Sequence, residues 1–206
     1  MRRLARYHAD RLLAAELQFR LASAVRIAVS SNRQPLDLPI EWSHGFHRVT
    51  YDEIALSQSD ADCAAFHLER TATFLLASEI RNAIIGLVRN PKDHRIKRIR
   101  SAYQIARLLR NAFAHSPFDP VWSVDRDCEN TEFEVRPIIS IDTTDLHQTR
   151  VDWRHYGGPL AVLAFARWVR EYILKVPPTA AELHPQPAVR YHKFENLLVR
   201  RPRRSA

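Results

Sequence analysis

The sequence predicts a mainly α-helical protein, an antiparallel helical bundle with an appended β-hairpin and a basic C-terminal tail. Three observations carry this. Apolar residues recur at spacings of three and four through long stretches that lack Pro, the first 30 residues lacking Gly as well. After Pro120 the period changes to two, over a run rich in β-branched and aromatic residues. From Pro177 onward prolines and arginines replace any regular pattern. Of 206 residues, 46% are hydrophobic and 26% charged, enough apolar material for one sizeable core.

The elements follow in order. Leu4, Tyr7, Leu12, Leu13, Leu17, Leu21, Ala24, Val25 and Ala28 make the first 30 residues one helix. Residues 31–50, with Pro35, Pro39 and Gly45, read as a connector. A long helical stretch runs from Asp52 to Arg89, with a break near Ser57 to Ser59, and Pro91 forces a turn. The next helix spans Asp93 to Ala114 and ends at Ser116-Pro117. The short link makes these two helices antiparallel neighbours. Val121, Trp122 and Val124 then pair with Phe133 to Ile141 as a hairpin at about 120–142, with 125–131 as its turn. Gly157-Gly158 precedes Pro159, which opens a last helix to Val176. The domain is therefore 1–176, and 177–206 is the tail.

Composition excludes several classes. Only Gly45, Gly86, Gly157 and Gly158 are present, so no Gly-rich loop can cradle a dinucleotide or triphosphate, and no cofactor site is legible. No apolar run reaches the roughly 18 residues of a membrane span. The start carries Arg2, Arg3 and Arg6, but Asp10, Arg11 and Glu16 interrupt any signal-peptide core. Cys63 and Cys128 give no disulfide framework, and a cytoplasmic protein with reduced thiols is expected. His44 and His47 lack the companions of a zinc site. The net charge is +8, and the tail carries six basic residues against Glu182 and Glu195. Such a balance attracts polyanions. A genome that favours arginine, with 27 Arg to 4 Lys, gives the same balance without any such partner.

One arginine is out of place. On a helical wheel Ile96, Ile99, Tyr103, Ala106 and Phe113 form an apolar stripe, and Arg110 lies inside it. A permanently charged guanidinium toward a core or interface needs an anion or a wet cleft. In the last helical turn it can also snorkel outward to the exposed carbonyls. Glu79, within the Leu68, Ala72, Leu75 and Ala83 stripe of the preceding helix, is a candidate partner for Arg110; otherwise it pairs with Arg81 or Lys97. Arg110 and His115 are five residues apart, an offset of about 140° on a continued helix. Ser116-Pro117 unwinds the chain there, which lets the imidazole swing back. A guanidinium to hold phosphate and an imidazole to move protons suit phosphodiester cleavage without a metal.

Residues 110–115, Arg-Asn-Ala-Phe-Ala-His, resemble the Arg-x4-6-His motif of the HEPN superfamily (higher eukaryotes and prokaryotes nucleotide-binding domains), with the polar residue, Asn111, after the Arg. The resembling region covers roughly residues 60–115. The resemblance implies a helical homodimer with the two Arg-His sets facing each other across a composite cleft. It implies a metal-independent endoribonuclease that leaves 2′,3′-cyclic phosphate ends, in a toxin or phage-defence system with an antitoxin as a further partner. Arg110 would bind phosphate, His115 would be the general acid or base, and Asn111 would assist. The sequence departs from one subset of the family in having Pro117, not Tyr, two residues after the His. The following helix is also delayed to Pro159. Catalytically silent members exist, so a helical module that binds RNA or protein is the alternative.

A second cluster, Arg154, His155 and Tyr156 before Gly157-Gly158, reads either as a phosphate- and base-binding turn or as a tight turn with aromatic anchors.

Overall fold

The computed structural model describes residues 2–31, 41–50 and 56–176. Four helices and two short hairpins are present among them: α1 (Arg2–Ser30), β1 (Glu41–His44), β2 (His47–Thr50), α2 (Gln58–Leu87), α3 (Lys97–Ala114), β3 (Glu132–Val135), β4 (Ile139–Asp142) and α4 (Pro159–Trp168). The expected mainly helical bundle with a hairpin is what the chain forms. No described helix is long and apolar enough to cross a membrane.

The long helix α2 touches all three others. It starts where Ser57 accepts a hydrogen bond from the amide of Asp60 at 3.2 Å, so the expected break near Ser57 is an N-cap. Against α1 it presents small residues. Ala61, Ala65, Ala72 and Ala83 of α2 and Ala5, Ala9, Ala15 and Ala22 of α1 are buried, framing Leu12, Phe19, Leu76 and Ile80. Alanine contacts let the two helices approach closely around Leu12, while other leucines of α1 stay outside. Leu17 and Leu21 are 54% and 66% exposed, so the apolar stripe expected to bury α1 is partly its outer face. Gly86 is a point of close approach, since a Cβ there would come within 2.2 Å of the His8 ring.

The connector expected at 31–50 contains an antiparallel hairpin, β1 with β2, turning at Gly45 with φ +61° and pairing His44 with His47. Strands of four residues are too short to announce themselves by period. Residues 32–40 and 51–55 lie outside the described residues.

Helix α3 begins at Lys97, four residues later than expected. Asn90 takes a left-handed conformation and Pro91–Asp93 forms a 3-10 turn first. Two surfaces cover α3: α2 on one flank and β3 on the other. Ile99, Ala102, Ile105, Ala106, Leu109 and Phe113 are buried, and so are Ser101, Gln104, Leu108 and Ala112.

The β3–β4 hairpin differs from expectation in its partners. Val135 pairs with Ile139 around a turn that holds the cis Arg136-Pro137 bond, so the run from Phe133 to Ile141 is itself the hairpin. Proline cannot continue a ladder, and the chain turns where it stands. Val121 instead makes one bridge to Arg150, and Trp122, fully buried, exchanges backbone bonds with Gln148 and Thr149.

Helix α4 starts at Pro159 as expected, after Gly157 and Gly158 at φ +84° and +83°. It widens into a π-helical turn at Val169–Leu174, where the Arg170 guanidinium, 5% exposed, meets Glu16 of α1 at 3.2 Å. The chain divides between Val176 and Pro177, and the basic tail at 177–206 lies outside the described residues.

The loop between α3 and β3 is held by Arg107, whose side chain is 16% exposed. Its Nε donates to Asp125 at 2.9 Å and its two terminal nitrogens to Asp127 at 3.0 and 2.8 Å. Lys92 adds a 2.7 Å contact to Asp127. Hydrogen bonds from Arg107, then Lys92, hold the Asp127 carboxyl far below its ordinary range. A depressed carboxylate contributes stability that is present above its unfolded pKa and lost as pH falls through its folded one. Arg107→Met is therefore expected to cost about 1–2 kcal/mol at neutral pH. Urea unfolding should show the difference from the parent narrowing as the pH is lowered below about 4.

Candidate functional site

The end of α3 carries the sequence-selected residues. The buried face set by α2 and β3 turns Arg110 outward: it is exposed, and its NH1 donates to Asn111 Oδ1 at 3.3 Å. The expectation that Arg110 sits inside the buried stripe is corrected here. Ile96, at 40% exposure, and Tyr103, half-buried, lie at the border of that face, so a wheel anchored on them runs out into solvent at Arg110.

His115 keeps helical backbone angles, φ −80° and ψ −37°, as the cap of α3. The unwinding at Pro117 therefore comes too late to swing the imidazole back. His115 is exposed and lies about 140° around the axis from Arg110. Among the described residues no hydrogen bond or ion pair joins the two. One copy of the chain holds both groups at the same helix end without bringing them together.

Glu79 does not serve Arg110. It is 5% exposed and takes a two-pronged contact from Arg11 of α1, Nε to Oε2 at 2.8 Å and NH2 to Oε1 at 2.6 Å. A carboxylate on the seam between α1 and α2 satisfies its buried oxygens from the nearer helix. Tyr7 accepts a further bond from Arg11 at 3.1 Å.

The Arg154, His155, Tyr156 cluster lines a cavity of about 770 Å³ together with the β3–β4 hairpin. Its three members are tied down. Arg154 grips Asp152 at 2.9 and 2.6 Å, so its charge is compensated. His155 Nδ1 accepts from the Trp122 indole at 2.9 Å and from the Asp152 amide at 3.3 Å. Two donors on Nδ1 put the proton on Nε2. Tyr156 is buried, packs edge-on to Trp122 at 6.4 Å, and its hydroxyl is pushed up to about 12, chiefly by desolvation. Glu132, Glu134, Asp142 and Asp145 line the same cavity. Four carboxylates facing two guanidiniums, those of Arg136 and Arg154, make it a poor place for a phosphate. The cavity lining includes neither Arg110 nor His115. Here the tight turn with aromatic anchors describes the geometry.

Among the described residues no group of His, Cys, Asp and Glu is arranged to hold a metal. Cys128 is buried beside Gln104, its thiol pushed up to about 11 by burial, and Cys63 is exposed.

Residues that pattern reading passed over lie on α2 and the loop after α3. Two guanidiniums lie over the ring of Phe66, Arg70 at 4.1 Å and Arg26 at 5.1 Å. His67 touches Phe66 and Phe118 edge-on, with centroids 5.5 and 5.0 Å away. Only the Arg-x3-Phe spacing reversed, Phe66 to Arg70, was visible in sequence; Arg26 and Phe118 arrive from distant positions.

Trp122→Phe is expected to remove the indole donor and cost about 1–3 kcal/mol. Long-range ¹H–¹⁵N spectra should show His155 protonated on Nε2 in the parent, with that tautomer preference relaxed in the variant.

No family model matches this chain, and neither a search of characterised proteins nor one of solved structures finds a similar protein.

Proposed function

We propose that this chain binds RNA at the exposed end of α3 and that two copies together form a metal-independent endoribonuclease of HEPN type. The observation that carries the reading is the pair of exposed groups at one helix end, Arg110 braced by Asn111 and His115 without a described partner. An arginine with no carboxylate partner among the described residues is available to an outside anion, and the net charge of +8 favours a polyanion.

Because helical geometry separates the two groups within one chain, the imidazole that works beside Arg110 comes from a second copy. In that arrangement one His115 takes the proton of a ribose 2′-hydroxyl as its oxygen attacks phosphorus. Arg110 holds the non-bridging oxygens as their negative charge grows. The departing 5′-oxygen takes a proton from water, and the His115 imidazolium gives its own back to solvent. The products are a 2′,3′-cyclic phosphate and a 5′-hydroxyl, and neither a metal nor a cofactor enters. A nuclease of this kind acts in the cytoplasm and needs restraint, which fits a toxin or defence effector with an antitoxin protein as its partner.

The same divergence of Arg110 and His115 favours a second reading, a catalytically silent helical module that binds RNA or protein. Incubation of the purified chain with RNA in excess chelator separates the two. Cleavage is expected, with His115→Ala lowering its rate by about 100-fold or more. A variant that cleaves as fast as the parent contradicts the mechanism, and absence of cleavage by the parent supports the silent module.

A further inference from the structure

The loop that follows His115 docks on α2 through a cluster of cations and rings. Ser116 Oγ accepts from the Asp119 amide at 3.1 Å, which shapes the turn. Phe118 then lies edge-on to His67, while its carbonyl oxygen accepts from Arg70 NH1. Arg26 reaches across from α1 to the ring of Phe66 at 5.1 Å. Three separate chain segments thus converge on one surface.

Two properties of this surface are unusual for a structural contact. Phe118 is 59% exposed, so its ring face is open to a partner. The two guanidiniums have no carboxylate at ion-pair distance among the described residues. Arg26 donates to Ser30 at 2.9 Å, Arg70 to a carbonyl, and nearby Asp119 is engaged by Arg150 at 3.5 Å. Burial holds the Arg70 guanidinium below its ordinary range, and the more distant Asp119 offsets that only in part. Glu69, one residue before Arg70, is bonded to Ser23 at 2.8 Å.

An exposed ring with one guanidinium at its own backbone and a second over the neighbouring Phe66 is what an unpaired nucleotide needs: a flat face for the base and cations for the phosphates along the strand. A protein partner would need an apolar footprint larger than one phenylalanine, and a duplex would offer no free base face. We propose that Phe118, His67, Arg70 and Arg26 form a subsite for an unpaired nucleobase and its flanking phosphates, three residues beyond His115. The subsite rests on the reading of this chain as an RNA binder. It supplies what the α3 end lacks, a feature that distinguishes single-stranded from paired substrate.

The test is fluorescence anisotropy of a labelled, 2′-O-methylated 12-nucleotide strand, which binds without being cut, against the same strand in a duplex. The full chain should prefer the single strand. Phe118→Ala should weaken binding about five- to hundredfold, and Phe118→Trp should retain it, with indole fluorescence quenched as a base stacks. Arg70→Gln should reduce the salt dependence by about one phosphate contact. Thermal melts matching the parent establish that the variants fold. Unchanged binding by both Phe118→Ala and Arg70→Gln overturns the subsite, as does equal affinity for the duplex or no binding at all. His115→Ala, measured on the same strand and on cleavable RNA, tells the two proposals apart. Retained binding with lost cleavage supports both. Dependence on Phe118 without any cleavage by the parent keeps the subsite and removes the nuclease. Cleavage that needs His115 but ignores Phe118 does the reverse.

Discussion

The buried face of α3 governs what the rest of the molecule can do. Ile99, Ile105, Ala106, Leu109 and Phe113 cannot leave the core without exposing several large apolar side chains, each worth about 1.5–3 kcal/mol. With that face against α2 and β3, every other position on α3 is assigned by 100° steps. Arg110 points to solvent, and His115, still helical, points about 140° away from it. No rotation of the helix brings both to one side. Any chemistry that needs them together must recruit a second chain.

Charge pairing sorts the arginines in the same way. Arg11 belongs to Glu79, Arg107 to Asp125 and Asp127, Arg154 to Asp152, and Arg170 to Glu16. Those contacts tie α1 to α2, the α3–β3 loop to α3, one turn to itself, and α4 to α1. Arg26, Arg70 and Arg110 have no carboxylate partner among the described residues; Arg110 lies at the end of α3, Arg70 reaches the Phe118 carbonyl of the loop after it, and Arg26 lies over Phe66. The acidic cavity under the β3–β4 hairpin is, by the same logic, set apart from any polyanion.

The helices were legible because each repeats its apolar period over many turns, and the cap at Ser57 and the stops at Pro91 and Pro117 are local chemistry. The hairpins were less legible. β1 and β2 are too short for a period, and in β3–β4 the alternation on both sides of Pro137 was read as one strand when the proline marked the turn. The site was legible in part. The spacing of Arg110, Asn111 and His115 selects one helix end, but its wheel was anchored on Ile96 and Tyr103, which border the core. Ser101 and Gln104 are buried as well, Gln104 beside Cys128 of the loop before β3, which shifts the true centre of the face. Arg11 is not among the partners the sequence suggests for Glu79, because nothing in the sequence says that this residue of α1 crosses it. Phe66, Arg70, Arg26 and Phe118 converge only in three dimensions.

The central claim is that the working pair forms between two copies. Subunit mixing tests it most directly: Arg110→Ala and His115→Ala variants, each inactive alone, are combined in equal amounts and assayed on RNA in chelator. If Arg110 of one copy works with His115 of the other, each mixed pair keeps one intact site. Random pairing then restores about a quarter of the parent's activity. A mixture no more active than either variant alone contradicts the account.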